Sequence, residues 1–364
     1  MKKHYFTSES VTSGHPDKVC DLIADSILDE ALKQDPNSKM AVEATIKDNF
    51  ILIYGEANTK ALINYADIAK DTLKEIGYLE DYEVLIKVSN QSAEINKAVD
   101  QEILAAGDQG IMFGYACNES ESLMPLPIHL AHRLAKQLET TRRKNPLLKP
   151  DGKTQVTVEY IDDLPKRIDT IVISSQHDKN ISQEELKEII MESVIKPVIN
   201  EKLVDSNTKY LINPSGSFIV GGSFGDSGTT GRKIVVDTYG GAVPNGGGCF
   251  SSKDPTKVDR SAAYYARYVC KNLVANELCD RCQIELSYAI GKTNPISIYI
   301  ETFNTNKIPT EQIEKIVHQN FNFSVNSIIE ELKLKNPIYK ETTNYGHFGK
   351  NNLPWERVKT LKGI

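Results

Sequence analysis

The sequence predicts an α+β protein of three pseudo-symmetric α+β domains, each a mostly antiparallel sheet with helices on one face. Three observations predict it. The order helix, β-hairpin, helix recurs three times along the chain. A length of 364 residues suits about two or three ordinary domains. Composition is that of a globular protein, 40% hydrophobic and 25% charged.

In the first unit, 17–34 has apolar residues at helical spacing. Residues 40–57 form two alternating runs around Lys47-Asp48-Asn49, a hairpin pattern, and 63–76 is again helical. The second unit has a helix near 127–143, a hairpin across 155–175 and a helix near 183–199, which Ser182 and Glu185 would cap. The third has a helix at 261–278, paired strands across 283–303 turning at 291–295, and a helix at 311–321. The expected domains are 1–103, 104–219 and 220–364, with terminal segments free to cross between them. A sheet with helices on one face leaves its other face to be covered by a second sheet or a second subunit. A homo-oligomer is therefore expected.

Charge and composition exclude several classes. Net charge is −6 with no basic tail, which argues against nucleic acid. No apolar run approaches the roughly 20 residues that a membrane helix needs, and the first ten residues lack the apolar core of a signal peptide. Six cysteines are too sparse for a disulfide scaffold, which fits a reducing cytoplasmic setting. Cys279-x-x-Cys282 has no second ligand pair for zinc, and it ends a helical pattern rather than opening a helix as a redox motif would.

Two segments carry chemistry. Residues 221–260 hold ten glycines, the cations Arg232, Lys233, Lys253, Lys257 and Arg260, and the carboxylates Asp226, Asp237, Asp254 and Asp259. Exposed N–H groups and clustered cations suit a polyphosphate. Interleaved carboxylates suit Mg²⁺, which reaches protein through one or two carboxylates plus substrate phosphates. A solvated Gly-rich loop is the plain alternative. Far upstream, Gly14-His15-Pro16-Asp17-Lys18 sets an imidazole, a carboxylate and an ammonium at the rigid start of a helix. Asp17 there could hold Mg²⁺, while His15 and Lys18 could meet developing negative charge. The P-loop, the complete G-x-G-x-x-G, HExxH and G-x-S-x-G are absent.

The blocks FTSESVTSGHPDKVCDLIAD, AAGDQGIMFGYACNE, NPSGSF, GDSGTTGRKIVVDTYGG, GGGCFSSKDPTKVDRSAAYYARY and PIYKETTNYGHFG stand in this order. Through them the chain resembles the S-adenosylmethionine synthetases (methionine adenosyltransferases) of bacterial type over essentially its whole length. The resemblance implies three pseudo-symmetric domains and a dimer or tetramer with active sites between subunits. It implies attack of methionine sulfur on ribose C5′ of ATP, release of tripolyphosphate, and its hydrolysis to phosphate and diphosphate. Mg²⁺, two ions per site, and K⁺ are the implied cofactors. His15, Lys153, Asp226, Arg232, Lys233 and Lys253 would be catalytic. Glu56, Gln91, Asp108, Asp151, Ser217, Phe218, Cys249 and Lys257 would bind substrate, with Asp108 contributed by the partner subunit. Asp17 and Asp259 would ligate Mg²⁺, and Glu43 would ligate K⁺. The sequence departs from the family's usual pattern at Cys249, at Ser252 and at Ser89-Asn90, and 78–91 and 95–107 are short. The latter matches the family's mobile loop, so gating and product release are where this chain would differ. Two alternatives remain at this level: a non-catalytic nucleotide-binding paralogue, and a Mg²⁺-dependent kinase or polyphosphatase.

Overall fold

A computed structural model describes residues 2–90 and 104–363. Three sheets account for its strands. In the first unit, helix α1 (Pro16–Gln34) precedes β2 (Lys39–Lys47) and β3 (Phe50–Asn58), then α2 (Tyr65–Ile76) and β4 (Glu83–Ser89). In the second, α3 (Leu126–Arg142) precedes β6 (Leu148–Ile161), β7 (Leu164–His177), α4 (Gln183–Ile190) and β8 (Lys209–Ile212). In the third, α5 (Val258–Ala275) precedes β10 (Arg281–Tyr288), β11 (Ser297–Glu301) and α6 (Thr310–Asn320). The repeated helix, hairpin, helix order is therefore present, and pairing within each hairpin is antiparallel. Only β4 and β8 join their sheets in parallel.

Each long helix is preceded by a strand that belongs to another unit's sheet. Strand β1 (Lys3–Val11) pairs with β6 of the second unit. Strand β5 (Gly110–Cys117) pairs with β10 of the third. Strand β9 (Gly228–Thr229) pairs with β2 of the first. The three units are thus tied in a ring by exchanged strands, which local periodicity does not reveal because β-pairing is a non-local choice.

Local rules explain most boundaries. Asn64 and Ser182 cap α2 and α4 by accepting the N–H three residues on, and Gly77 ends α2 in the left-handed region at φ 111°. The helical pattern expected to reach 199 stops at Ile190, where the chain passes into one π turn, Met191–Ile195. Strand β6 begins at Leu148, ahead of the hairpin expected from 155, with its register shifted before Gly152.

Burial alternates along β2 and β10, one side under helices and the other only half covered. The first and third units share one continuous core, which includes Ile23, Ile27, Val42, Ile53, Tyr265 and Ile284. The second unit has its own core, with Leu130 and Leu134 among Val156, Ile171 and Ile190.

Candidate active site

The first turn of α1 is the natural place to begin. His15 is its N-cap, with φ −64° and ψ 131°, and its Nδ1 accepts the Asp17 N–H at 3.2 Å. Pro16 follows at the first helical position, where its missing N–H costs no bond. His15 is 4% exposed. Burial, then the nearby Lys233 and Lys153 ammoniums, push its pKa down to about 3, so the ring is neutral. With Nδ1 as acceptor, the proton of the neutral ring sits on Nε2.

Asp17 meets three groups from the glycine-rich stretch. The Thr229 N–H donates to it at 3.0 Å, Lys233 Nζ at 2.5 Å, and Arg232 Nε lies at 3.4 Å. Burial pushes its carboxyl up, but the Lys233 ammonium and the Thr229 N–H outweigh that and hold it below the usual range. Strand β9 makes this contact possible. A Cβ on Gly228 would lie 2.1 Å from the Pro16 carbonyl oxygen, so only glycine allows the stretch to lie this close to α1.

Asp17 opens a ladder that sequence reasoning missed. Asp21, Asp25 and Asp29 follow at four-residue spacing on one helical face, all buried. Asp21 accepts the Gly231 N–H at 2.8 Å. Asp25 takes Arg260 bidentately at 2.8 Å on each oxygen and also accepts the Ser252 N–H at 3.1 Å. Asp29 accepts the N–H groups of Tyr339 and Lys340, each at 2.8 Å. The spacing D-x-x-x-D-x-x-x-D-x-x-x-D inside one predicted helix was the available signal.

Two sequence expectations are corrected. Lys18 does not face the site: it is 1% exposed and bonded to Asp237 and Asp21. Burial alone would lower its pKa, but those carboxylates hold it charged, well above the ordinary value. Within the glycine-rich stretch, Arg260, Asp237 and Asp254 are likewise buried and paired inside the protein. The stretch is therefore partly an internal clamp, which leaves only part of it available to a ligand.

Near His15 the structure also brings Lys153, Asp151 and Asp226. Lys153 lies on β6 with its side chain exposed. Asp151 Oδ2 accepts the Gly222 N–H at 2.8 Å, whereas Oδ1 is buried without a partner. Burial pushes the Asp151 pKa up to about 6. Asp226 is exposed at the end of a helical turn, with Oδ1 accepting the Ser227 N–H. Phe218 is held by reciprocal bonds with His177, and Ser217 beside it is exposed.

A second group forms around the start of α5. Lys253 Nζ bonds Asp259 at 2.5 Å, and Lys257 Nζ bonds Asp254 at 2.5 Å. Gly248 lies so close to Asp259 that a Cβ there would stand 2.1 Å from its carboxyl carbon. Gly110 packs on the same carboxylate, which brings exposed Asp108 to this end of the chain. Cys249 touches Gly231 and so sits between the two groups. Burial pushes its thiol up to about 11, which keeps it protonated rather than reactive. Glu43, on β2, meets Tyr54 Oη at 3.4 Å, and Glu56 is exposed on β3. Gln91 lies outside the described residues.

Three sequence profiles cover the chain: the N-terminal domain of S-adenosylmethionine synthetase at residues 3–102, the central domain at 103–218 and the C-terminal domain at 220–357. An S-adenosylmethionine synthase of Finegoldia magna is 49% identical over 388 residues, covering 100% of this chain and 99% of that protein. Fold and comparisons place the molecule among ATP-binding transferases with three α+β domains. More narrowly, the chain belongs to the S-adenosylmethionine synthetase family. With membership come methionine adenosyltransferase activity and the use of metal ions.

The residues present suit hard divalent ions. Asp17 and Asp259 offer carboxylate oxygens, each already beside a lysine, and Asp151 Oδ1 is buried without a partner. Among the described residues no three acidic, imidazole or thiol groups converge as a ready-made cage. One or two carboxylates completed by substrate phosphates is the arrangement that Mg²⁺ favours.

Proposed function

We propose that this chain converts ATP, L-methionine and water to S-adenosylmethionine, phosphate and diphosphate. The methionine sulfur attacks ribose C5′ as the C5′–O bond breaks, and the bonding pair leaves with the triphosphate. Water then cleaves the triphosphate before release. The observation that carries this reading is neutral His15, with its Nε2 proton free, set beside Lys233, Arg232 and Asp17. An N–H donor and two cations gathered around Asp17 suit an oxygen that gains charge as it departs. The sulfur is already nucleophilic, so positioning rather than activation of a protein group is needed.

Lys153, Arg232, Lys233, Lys253 and Lys257 hold phosphates or the methionine carboxylate in this reading. Asp226, Asp151, Glu56, Gln91, Asp108, Ser217, Phe218 and Cys249 line the nucleotide and methionine positions. Two Mg²⁺ at Asp17 and Asp259 would neutralise the polyphosphate, and K⁺ would sit at Glu43. The cysteines among the described residues are all free thiols, in keeping with a cytoplasmic setting.

The site is completed by a second copy of the chain. The group at His15 and Asp17 and the group at Lys253, Asp259 and Asp108 are each closed by their own ion pairs. The sheets leave Phe50, Leu85, Ile111 and Tyr299 exposed, a surface suited to another subunit. Purified protein with ATP, methionine, Mg²⁺ and K⁺ will yield a methionine-dependent sulfonium with equal phosphate and diphosphate. ADP, or no sulfonium, would refute the reading. Sharing is tested by coexpressing the inactive variants His15→Ala and Lys253→Ala. Mixed dimers then contain one intact site in two, and random pairing restores about a quarter of wild-type activity. No recovery would mean that each chain carries a whole site.

A further inference from the structure

A cleft of about 540 Å³ opens between α3 and the C-terminal segment 340–352. Arg133, Lys136, Lys340 and Lys350 line it with two imidazoles, against a single lining carboxylate, Glu341. Two further carboxylates approach from outside the wall: Glu121 stands 3.7 Å from Arg133, and Glu75 bonds Lys340 at 2.6 Å. The volume lies in the range of small-molecule pockets.

Several observations separate this cleft from an ordinary solvated basic face. The Lys350 ammonium donates to two main-chain carbonyls, Glu341 at 2.9 Å and Thr342 at 3.0 Å, and no carboxylate lies within ion-pair distance among the described residues. Burial, then nearby Lys18, push its pKa down to about 7, the behaviour of a cation that lacks a counter-ion. Its third N–H remains to be used. His132 is 7% exposed and rests its Nδ1 on Ser10 Oγ at 2.8 Å. Its Nε2 lies against Gly346, and Asn344 Oδ1 is buried without a partner. Tyr345 is held at φ 60°, a conformation that disfavours a bulky side chain. Lys136 has no side-chain partner among the described residues, and it adds to the positive field at Lys350.

We propose that this cleft is a second anion site, distinct from the His15 centre, that takes a small molecule bearing a di- or triphosphate. The exposed ends of Arg133 and Lys136 would hold the outer phosphate, and Lys350 would receive the inner one as its missing counter-charge. Lys350 also shares its surroundings with Lys18 and Asp237. Their ion pair braces the first turn of α1.

The proposal is tested by calorimetric titration of the full-length protein with inorganic triphosphate and, in parallel, with ATP, with divalent metal withheld so that the triphosphate is not hydrolysed. Wild type is expected to show two classes of site per chain. The surface double variant Arg133→Gln/Lys136→Gln should keep one class and weaken the other at least about tenfold, the scale of one charge-assisted hydrogen bond. Lys233→Ala should weaken the opposite class. Equal affinity for triphosphate and ATP would show that the phosphates alone are read, whereas tighter ATP would add the nucleoside to the ligand. A single class in wild type, or a second class untouched by the double variant, overturns the proposal.

Discussion

Asp17 and Lys18 are sequence neighbours with different fates. One faces the cations of the proposed site, and the other turns inward to Asp237 and Asp21. The His15-Pro16-Asp17 turn could be read as site-like from residue types alone, but which neighbour faced the cations of the proposed site depended on the helix's orientation. Lys253 is a partly exposed cation paired with Asp259. Lys253→Ala should lower kcat by ~100-fold or more, as for loss of a group that meets developing charge, while the melting temperature moves by less than about 2 °C. Equal losses of activity and stability would make it structural. Ser252, where the sequence departs from the family's usual pattern, sits at φ 81°, and its hydroxyl is buried without a partner. Ser252→Gly should therefore stabilise by roughly 1 kcal/mol in urea unfolding, since left-handed strain and an unpaired hydroxyl outweigh the added chain entropy. At His129, burial and Arg133 push the pKa down to about 4, although Glu121 pulls it up. The folded chain then binds fewer protons than the unfolded one between pH 6.5 and about 4. That contribution is intact above the window and falls away as pH drops through it. His129→Gln should lessen the loss of stability over this range, seen as a smaller shift of the urea midpoint.

At the scale of elements, α1 is both a site-bearing helix and a clamp. Its four aspartates hold 229–233, 252, 260 and 339–340 in turn. Asp25→Ala would strand the fully buried Arg260 and should cost about 3–5 kcal/mol, measured as a fall in the unfolding midpoint. A loss below about 1 kcal/mol would show that the pair is dispensable. The helices and hairpins were legible because apolar spacing and caps are local, as at Ser182 and Gly77. Strands β1, β5 and β9 were not, since their partners lie far along the chain. The glycines of 221–260 suggested a phosphate cradle, but Gly228 allows close backbone packing on α1 and Gly248 makes room for the Asp259 carboxylate.

For the whole molecule, the exchanged strands make three repeats into one object. No unit owns all the strands of its sheet, and the first and third units share a core. Unfolding of the chain should therefore be concerted: fluorescence of Trp355, buried in the third unit's part of that core, should follow the same denaturation curve as far-ultraviolet circular dichroism. Separate transitions would show that the units unfold independently. The sequence by itself determined the element types, the threefold repeat, the family resemblance and the residue chemistry at 15–17 and 226–259, because periodicity, capping and motif spacing are written in neighbouring residues. Only the tertiary structure decided which carboxylates and cations face one another, that Lys18 and Arg260 are internal, and that the cationic cleft beside α3 exists. Those outcomes depend on strand pairing and helix orientation over separations of one to three hundred residues, where burial and charge pairing are settled by the whole fold.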